Sequence, residues 1–362
     1  MPPKPQPGVL AIKLYKGGDS TLAGFEKPIK LASNENPFGS SEKAKAAFRE
    51  AGETLWLYPE GSAAKLREAI GMRYGLDPAR IVCGAGSDEI FGMLVNAYVA
   101  PGDEVVEHQY MFSVPRLFAQ AAGAVVRTAP DHDYAASADA LLAQMGPKTK
   151  LVFMPNPHNP SGRYMRFDEV RRLHAAMPPE AILVLDGAYA EFVQRNDFAA
   201  GIELVAESDN VVMTRTFSKA YGLAGLRLGW MYAPAAIVDA CHRVRGPFNV
   251  SGPAIAAGVA AIQDSAFAER TIANNTRELA RLHAALDAMG LAHTDSVANF
   301  TLVFFPDAPG KRAADADAFL RARGVIVRRM ESYNLPHCLR MSIGSPEQNG
   351  ALITALKEFM QA

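Results

Sequence analysis

The most informative part of the chain is the stretch Thr214-Arg215-Thr216-Phe217-Ser218-Lys219-Ala220-Tyr221-Gly222-Leu223-Ala224-Gly225-Leu226-Arg227-Leu228-Gly229. An apolar run leads into it, and a glycine-rich loop then holds one lysine among small and hydroxylic residues. A lysine flanked by apolar groups and close to a second cation loses proton affinity, so Lys219 can be nucleophilic at neutral pH. The hydroxyls of Thr216 and Ser218 and the guanidinium of Arg227 can together bind a phosphate group. Taken alone, the stretch also fits a surface lysine in a flexible loop.

Short apolar runs around this stretch predict the strands of one sheet. The runs are too short for helices: Ile81–Cys83, Glu104–Glu107, Ala124–Arg127, Leu151–Met154, Ile182–Leu185, Val211–Thr214 and Leu228–Tyr232. Helical patterns alternate with them, including Ser62–Gly75, which Ser62 can cap and Gly75 can end, and Ser87–Val99, which Ser87 can cap. This alternation predicts an α/β fold, with a mostly parallel seven-stranded sheet between helices.

After Pro253 the pattern predicts a smaller α+β domain. A helical region with one break runs from about Ala254 to Met289, and strands and a closing helix follow it: Asn299–Phe305, Gly324–Arg329, Leu339–Ile343 and Pro346–Met360. The expected organisation is an N-terminal segment (residues 1–35) that packs on the small domain, a large domain (36–255) and the small domain (256–362).

Composition argues against several classes of protein. The 362 residues carry a net charge of −1, with 49% apolar and 21% charged residues, so neither a nucleic-acid nor a membrane partner is indicated. Three widely spaced cysteines and scattered histidines without an HExxH motif predict neither a disulfide framework nor a metal site. The N-terminus lacks the apolar core of a signal peptide and no apolar run reaches membrane-spanning length, so we expect a cytoplasmic protein.

Further candidate residues directly follow the predicted strands, at the edge where α/β sheets bind ligands. A strand-end carboxylate or a rigid Pro-Gly turn can hold polar groups against a ligand, a helix N-terminus favours an anion, and an aromatic ring can stack on a flat molecule. The candidates in chain order are Gly86, Ser87, Asp88, Tyr110, Asn159, Asp186 and Tyr189. Each of them, taken alone, also fits an ordinary turn, helix-cap or core residue.

Together these segments resemble the fold-type I aminotransferases that depend on pyridoxal 5′-phosphate (PLP), and within them the histidinol-phosphate aminotransferase family. The resemblance covers nearly the whole chain in order, through Leu31–Gly39, Tyr58–Gly61, Gly86–Glu89, Asn159–Gly162, Asp186–Phe192, the Lys219 stretch, Pro247–Val250, Ala298–Phe300, Gly324–Arg328 and Leu339–Gly344. The chain departs from the family pattern at Gly187, where a glutamate is frequent, at Ser161, where a threonine is frequent, and beside Tyr15, where a proline is frequent.

The resemblance implies a role for each matching residue. Lys219 would hold PLP as an imine and move the substrate proton, Asp186 would pair with the pyridine nitrogen, and Tyr189 would bind the phenolic oxygen together with Asn159. Tyr110 would stack on the ring. The phosphate would be bound by Gly86, Ser87, Asp88, Thr216, Ser218, Arg227 and, from the neighbouring subunit of a homodimer with shared active sites, Tyr58. The substrate would be bound by Tyr15, Asn36, Asn249, Arg328 and Arg340.

The implied reaction is transamination of L-histidinol phosphate with 2-oxoglutarate, giving imidazole-acetol phosphate and glutamate in histidine biosynthesis. Three alternatives stay open at this point. An aromatic-amino-acid aminotransferase would use the same arginine for a carboxylate, and a lyase similar to threonine-phosphate decarboxylase would share the scaffold, so only the substrate separates these. The third is a PLP-binding module without catalytic activity, although no basic or helix-turn-helix segment precedes the fold.

Overall fold

The computed structural model describes residues 3–14 and 17–362. The strands in these residues are β1 (Ile29–Leu31), β2 (Ile81–Gly84), β3 (Glu104–His108), β4 (Val125–Ala129), β5 (Thr149–Pro155), β6 (Ile182–Asp186), β7 (Val211–Thr216), β8 (Gly229–Tyr232), β9 (Phe300–Phe304), β10 (Val325–Arg329) and β11 (Cys338–Ser342). The helices are α1 (Pro7–Leu10), α2 (Glu42–Gly52), α3 (Ala64–Tyr74), α4 (Ser87–Tyr98), α5 (Val114–Ala121), α6 (Ala138–Leu142), α7 (Phe167–Ala176), α8 (Ile202–Glu207), α9 (Ala235–Val244), α10 (Gly252–Ile262), α11 (Ser265–Ala288), α12 (Ala313–Arg321) and α13 (Pro346–Gln361). None of the described helices is both long and apolar enough to cross a membrane.

The larger sheet confirms the predicted seven-stranded, mostly parallel architecture. Its strand order is β2-β8-β7-β6-β5-β3-β4, and only β8 runs antiparallel to its neighbours. Every residue of β7 is buried, as expected for a parallel strand covered by helices on both faces. The register pairs Pro155 with Asp186 and Asp186 with Thr214, so the carboxyl ends of β5, β6 and β7 meet at one edge of the sheet.

The smaller sheet has the order β1-β10-β11-β9 and confirms the three C-terminal strands that the sequence predicts. Its first strand was not predicted: β1 pairs in parallel with β10, with Ile29 opposite Val325. The N-terminal segment therefore supplies an edge strand to this sheet, while α1 contacts α5 beside the larger sheet. The domain limits at residues 35 and 255 remain a prediction.

Two expected helix caps are wrong, and the structure shows what replaces them. Helix α3 begins after Ala63, and the Glu60 carboxylate accepts hydrogen bonds from the backbone nitrogens of Ser62 and Ala64, both at 2.8 Å. Ser87 is the first residue of α4, so Gly86 takes the cap position with a φ of 84° that favours glycine. The predicted break in the long helical region is confirmed between α10 and α11.

Candidate active site

The carboxyl ends of the central parallel strands open into a cavity of about 250 Å³. Residues of the larger sheet, the N-terminal segment and the smaller sheet line it together. Most of the predicted site residues belong to this lining: Ser87, Asp88, Asn159, Asp186, Tyr189, Thr216, Ser218, Lys219, Arg227, Arg328 and Arg340. The fold therefore brings together side chains that lie more than two hundred residues apart in the sequence, as the strand-end positions predicted.

Lys219 lies in the loop after β7 with its amine facing this cavity. Its Nζ donates a hydrogen bond to the carbonyl of Ser33 at 3.2 Å and lies 5.7 Å from the centre of the Tyr189 ring. Burial, followed by the positive charge of Arg340, lowers the pKa of Lys219 to about 8. About a tenth of the amine is then neutral at pH 7, far more than at an ordinary lysine. The predicted nucleophilic character therefore has a physical basis in this site.

Asp186 ends β6, and its carboxylate accepts a hydrogen bond from the hydroxyl of Thr214 at 3.0 Å. Burial raises the pKa of Asp186 to about 6, and the nearby charge of Asp88 acts in the same direction. A half-buried carboxylate of this kind ionises most easily when a cation lies against it. Sequence reasoning did not include Thr214, although its position opposite Asp186 follows from the parallel register.

A hydrogen-bonded group joins the two sheets on one side of the cavity. Arg340, from β11, donates through Nη1 to Asn159 Oδ1 at 2.5 Å and through Nη2 to the carbonyl of Ala32 at 3.1 Å. The buried Nε of Arg340 has no hydrogen-bond partner among the described residues. Asn34 donates to the Tyr189 hydroxyl at 3.0 Å, and burial raises the pKa of Tyr189 to about 12. Tyr189 is therefore a neutral phenol at physiological pH. Asn34 is a residue to which sequence reasoning gave no role.

The other side of the cavity is built to receive an anion. Arg227 donates to Ser218 Oγ at 3.3 Å and pairs with Asp88 Oδ2 at 3.1 Å, next to the N-terminus of α4. A Cβ atom at Gly86 would lie 2.5 Å from Arg227 Nη2, so only glycine allows this close approach. Backbone N–H groups at a helix N-terminus, a hydroxyl and a guanidinium form a suitable set of donors for a phosphate.

Some predicted site residues lie outside the cavity lining. Asn36 donates to the carbonyl of Ala220, directly after Lys219, at 2.9 Å, and Asn249 donates to Glu89 Oε2 at 2.8 Å. Their amides therefore fix the surroundings of the site in this chain. Tyr58 is 83% exposed, and its ring stacks on Phe248 at 4.8 Å. The remaining candidate, Tyr15, lies outside the described residues.

A different aromatic ring from the predicted one faces the cavity. Phe112 belongs to the lining, whereas the ring of Tyr110 stacks on Tyr134 with centres 5.9 Å apart. The carboxylate of Asp131 accepts from the backbone nitrogens of Gln109 and Tyr110, at 3.2 and 3.4 Å, and so fixes the turn after β3. Both rings follow β3 closely in the sequence, and no signal there separates them.

Two histidines that are distant in the sequence meet behind this turn. His108 Nδ1 lies 3.0 Å from Asp131 Oδ1, and His158 Nε2 lies 2.8 Å from the carbonyl of Tyr110. Ser161 Oγ contacts His158 Nδ1 at 2.7 Å, and burial lowers the pKa of His158 to about 3. These groups are close enough together to bind a metal ion, but the neutral His158 already uses both ring nitrogens in hydrogen bonds. The cluster joins the loops of Phe112 and Asn159, and the expectation of no metal remains a prediction.

Comparisons with known proteins agree with this geometry. The sequence profile of aminotransferase class I and II matches residues 26–356. A histidinol-phosphate aminotransferase of Maricaulis maris is 51% identical over 99% of both chains. Another from Rhodopseudomonas palustris is 52% identical over 99% of this chain and 98% of its own. The crystal structure of histidinol-phosphate aminotransferase from Sinorhizobium meliloti, in complex with pyridoxal-5′-phosphate, superposes with a TM-score of 0.87 at 28% identity, over 98% of this chain and 97% of its own.

The match of the family profile spans both sheets and every described residue of the cavity lining except Gly18. The relatives cover the chain from end to end, so the likeness extends to the whole architecture rather than to one motif. The chain belongs to the class I and II aminotransferases, with the fold-type I architecture.

Proposed function

We propose that this aminotransferase transfers the amino group of L-histidinol phosphate to 2-oxoglutarate, with PLP as its cofactor. The products are imidazole-acetol phosphate and glutamate, and the reaction is a step of histidine biosynthesis. The observation that carries the proposal is the identity of 51–52% over the full length to curated histidinol-phosphate aminotransferases. The cavity supports it, because Arg227, from the loop before β8, and Arg328 and Arg340, from the smaller sheet, line the same cavity as the half-buried Lys219.

The residues of the cavity fit PLP group by group. The amine of Lys219 suits the aldehyde, and the half-buried carboxylate of Asp186 suits a protonated pyridine nitrogen. The donor set around Arg227 and Ser218 suits the phosphate, and the absence of a side chain at Gly86 lets the Arg227 guanidinium approach the N-terminus of α4. We propose that Thr216, Ser87 and Asp88 complete this phosphate site and that Asn159 and Tyr189 hold the phenolic oxygen.

When bound, PLP supplies an electron-withdrawing ring that stabilises negative charge on the carbon that loses its proton. Lys219 removes that proton and returns it, since its lowered pKa provides a neutral amine near pH 7. Asp186 keeps a proton on the pyridine nitrogen, and the neutral phenol of Tyr189 donates a hydrogen bond to the phenolic oxygen. Arg340, whose Nε has no partner among the described residues, and Arg328 bind the anionic end of either substrate.

An exposed apolar segment supports a homodimer with shared active sites. Leu55, Trp56, Leu57 and Tyr58 follow α2 and are 69%, 82%, 54% and 83% exposed. Four consecutive exposed apolar or aromatic side chains are typical of a contact with another protein surface. We propose that this surface is a second copy of the chain and that Tyr58 reaches the phosphate site of that copy.

The cytoplasmic location also remains a prediction.

The test is a comparison of kcat/KM for purified, PLP-loaded protein with four donors. L-Histidinol phosphate, phenylalanine and tyrosine are supplied with 2-oxoglutarate, and threonine phosphate is assayed for both decarboxylation and transamination. We expect the highest kcat/KM with histidinol phosphate. Equal or better turnover of phenylalanine or tyrosine would make the enzyme an aromatic-amino-acid aminotransferase, with Arg340 as a carboxylate ligand.

A further inference from the structure

We propose that Glu35 recognises the imidazole ring of the amino donor and thereby gives the enzyme its preference for histidinol phosphate over phenylalanine. This inference rests on the function proposed above and goes beyond it, because it assigns the discrimination between two donors to one carboxylate. Glu35 follows β1 in the N-terminal segment, directly after Asn34, and it belongs to the cavity lining.

The other two carboxylates of the described cavity lining, Asp88 and Asp186, already have hydrogen-bond or ion-pair partners and belong to the proposed PLP site. Asp88 is paired with Arg227 at the anion-binding side, and Asp186 lies at the end of β6 with its hydrogen bond from Thr214. Glu35 follows Asn34 in the N-terminal segment and belongs to neither of these two groups. It is therefore the lining carboxylate that lies outside the groups proposed to hold PLP.

The carboxylate of Glu35 is available to a ligand. Its Oε1 accepts a hydrogen bond from Lys30 Nζ at 2.8 Å, and its side chain is 42% exposed. Oε2 receives no hydrogen bond from the residues that the structure describes. The negative charge also acts inside the cavity, because Glu35 is one of the groups that oppose the lowering of the Lys219 pKa.

The chemistry of the donors explains why a carboxylate at this position would discriminate between them. An imidazole ring carries an N–H donor when neutral and two when protonated, whereas the ring of phenylalanine carries none. A hydrogen bond from imidazolium to a carboxylate is charge-assisted and roughly twice as strong as a neutral one. Arg328 and Arg340 attract the anionic end of any donor, so they cannot separate the two rings, and Glu35 supplies the complementary charge.

A purely structural role for Glu35 predicts a different result. The pair with Lys30 is partly exposed on both sides, and such a pair contributes little to folding. If the pair itself mattered, removal of either partner would have the same effect. Lys30→Met removes the pair but leaves the carboxylate, whereas Glu35→Gln keeps the shape and an acceptor for Lys30 but removes the charge. These two variants form a matched pair.

The experiment measures kcat and KM of PLP-loaded wild type, Glu35→Gln and Lys30→Met with L-histidinol phosphate and with phenylalanine. For Glu35→Gln we expect KM for histidinol phosphate to rise roughly tenfold, as for loss of a charge-assisted hydrogen bond. We expect kcat, and KM for phenylalanine, to change less than about twofold. The rise should be larger at pH 6 than at pH 8.5, because imidazole is protonated only at the lower pH. Lys30→Met should not raise KM for histidinol phosphate.

Three results would overturn the inference: an unchanged KM for histidinol phosphate in Glu35→Gln, an equal rise with phenylalanine, or the same loss in Lys30→Met. If wild type prefers histidinol phosphate and one of these results is obtained, the proposed function stands and only the role of Glu35 is wrong. A wild type that does not turn over histidinol phosphate would overturn both.

Discussion

The titration of Asp186 gives a quantitative test of the site without any substrate. We consider Asp186→Asn, which keeps an oxygen that can accept the hydrogen bond from Thr214 but can no longer ionise. In the protein without PLP, burial holds the pKa of Asp186 at about 6 instead of 3.8. The unfolded chain therefore loses this proton at a lower pH than the folded protein does. The protonated carboxyl group of Asp186 therefore contributes to the free energy of unfolding. This contribution is fully present below about pH 4 and is lost as the pH rises through about 6.

The size of the effect follows from the two pKa values. A rise from 3.8 to about 6 corresponds to roughly 3 kcal/mol at most, because solvent reaches part of the carboxylate. Roughly 2 kcal/mol of this loss falls between pH 4.5 and pH 7.5. For a chain of this length, that corresponds to roughly 3 °C in Tm. Without PLP, the Tm of Asp186→Asn minus the Tm of wild type should therefore be about 3 °C larger at pH 7.5 than at pH 4.5.

The assay is thermal unfolding of wild type and variant without PLP, at the same protein concentration and at both pH values. Asp209→Asn, at an exposed aspartate, is the control and should show no such gain. With PLP added, the wild type should have the higher Tm of the two proteins. A protonated ring nitrogen stabilises the ionised carboxylate, so PLP raises the Tm of wild type more than that of Asp186→Asn. A difference in Tm that is independent of pH without PLP, or that falls as the pH rises, would refute the reasoning on Asp186.

Three further predictions concern the cofactor. Lys219→Ala should lose both turnover and the absorbance band of lysine-bound PLP, and a variant that keeps both would contradict the central assignment. Tyr58→Phe should retain PLP less well on dialysis. Hybrid dimers of Tyr58→Phe with Lys219→Ala should contain one site with wild-type PLP retention, because that site combines Lys219 of one subunit with Tyr58 of the other; unchanged retention in Tyr58→Phe would remove the shared-site proposal. Phe112→Leu should raise the Kd for PLP roughly tenfold, as for loss of an aromatic contact, while Tyr110→Leu should leave it within about twofold. The reverse order would show that Tyr110 is the ring contact, as the sequence predicts.

The parallel sheet could be predicted because each of its strands carries its own signal. A buried parallel strand is apolar on both faces, so runs such as Leu151–Met154 and Ile182–Leu185 stand out locally. Strand-end positions then locate the site, since parallel strands place their carboxyl ends at one edge. Asp186 and Lys219 could be predicted for this reason, and the structure places both in one cavity.

The features that were missed depend on contacts between distant segments. Strand β1 has only three residues, and it forms because β10 offers a parallel edge far along the chain. The turn that places Phe112 in the cavity lining is held by Asp131, which follows β4 and accepts hydrogen bonds from the backbone of Gln109 and Tyr110. The cap of α3 depends on a glutamate outside the helix rather than on the nearest serine. A local pattern carries no information on such partners, because they are determined by tertiary packing.

The departure at Gly187 shows how one such contact constrains the sequence beside the site. A Cβ atom there would lie 3.0 Å from Arg215 Cδ and 3.1 Å from the carbonyl of Thr214, so a side chain at this position would require its neighbours to shift by a few tenths of an ångström. Arg215 is buried and pairs with Glu191 at 2.8 Å, which places a carboxylate four residues after the position where the family often has one. Because removal of one partner from a buried ion pair leaves an uncompensated charge, Arg215 and Glu191 have to be kept together. The glycine at position 187 therefore accommodates the buried Arg215 of β7 in close contact with the end of β6.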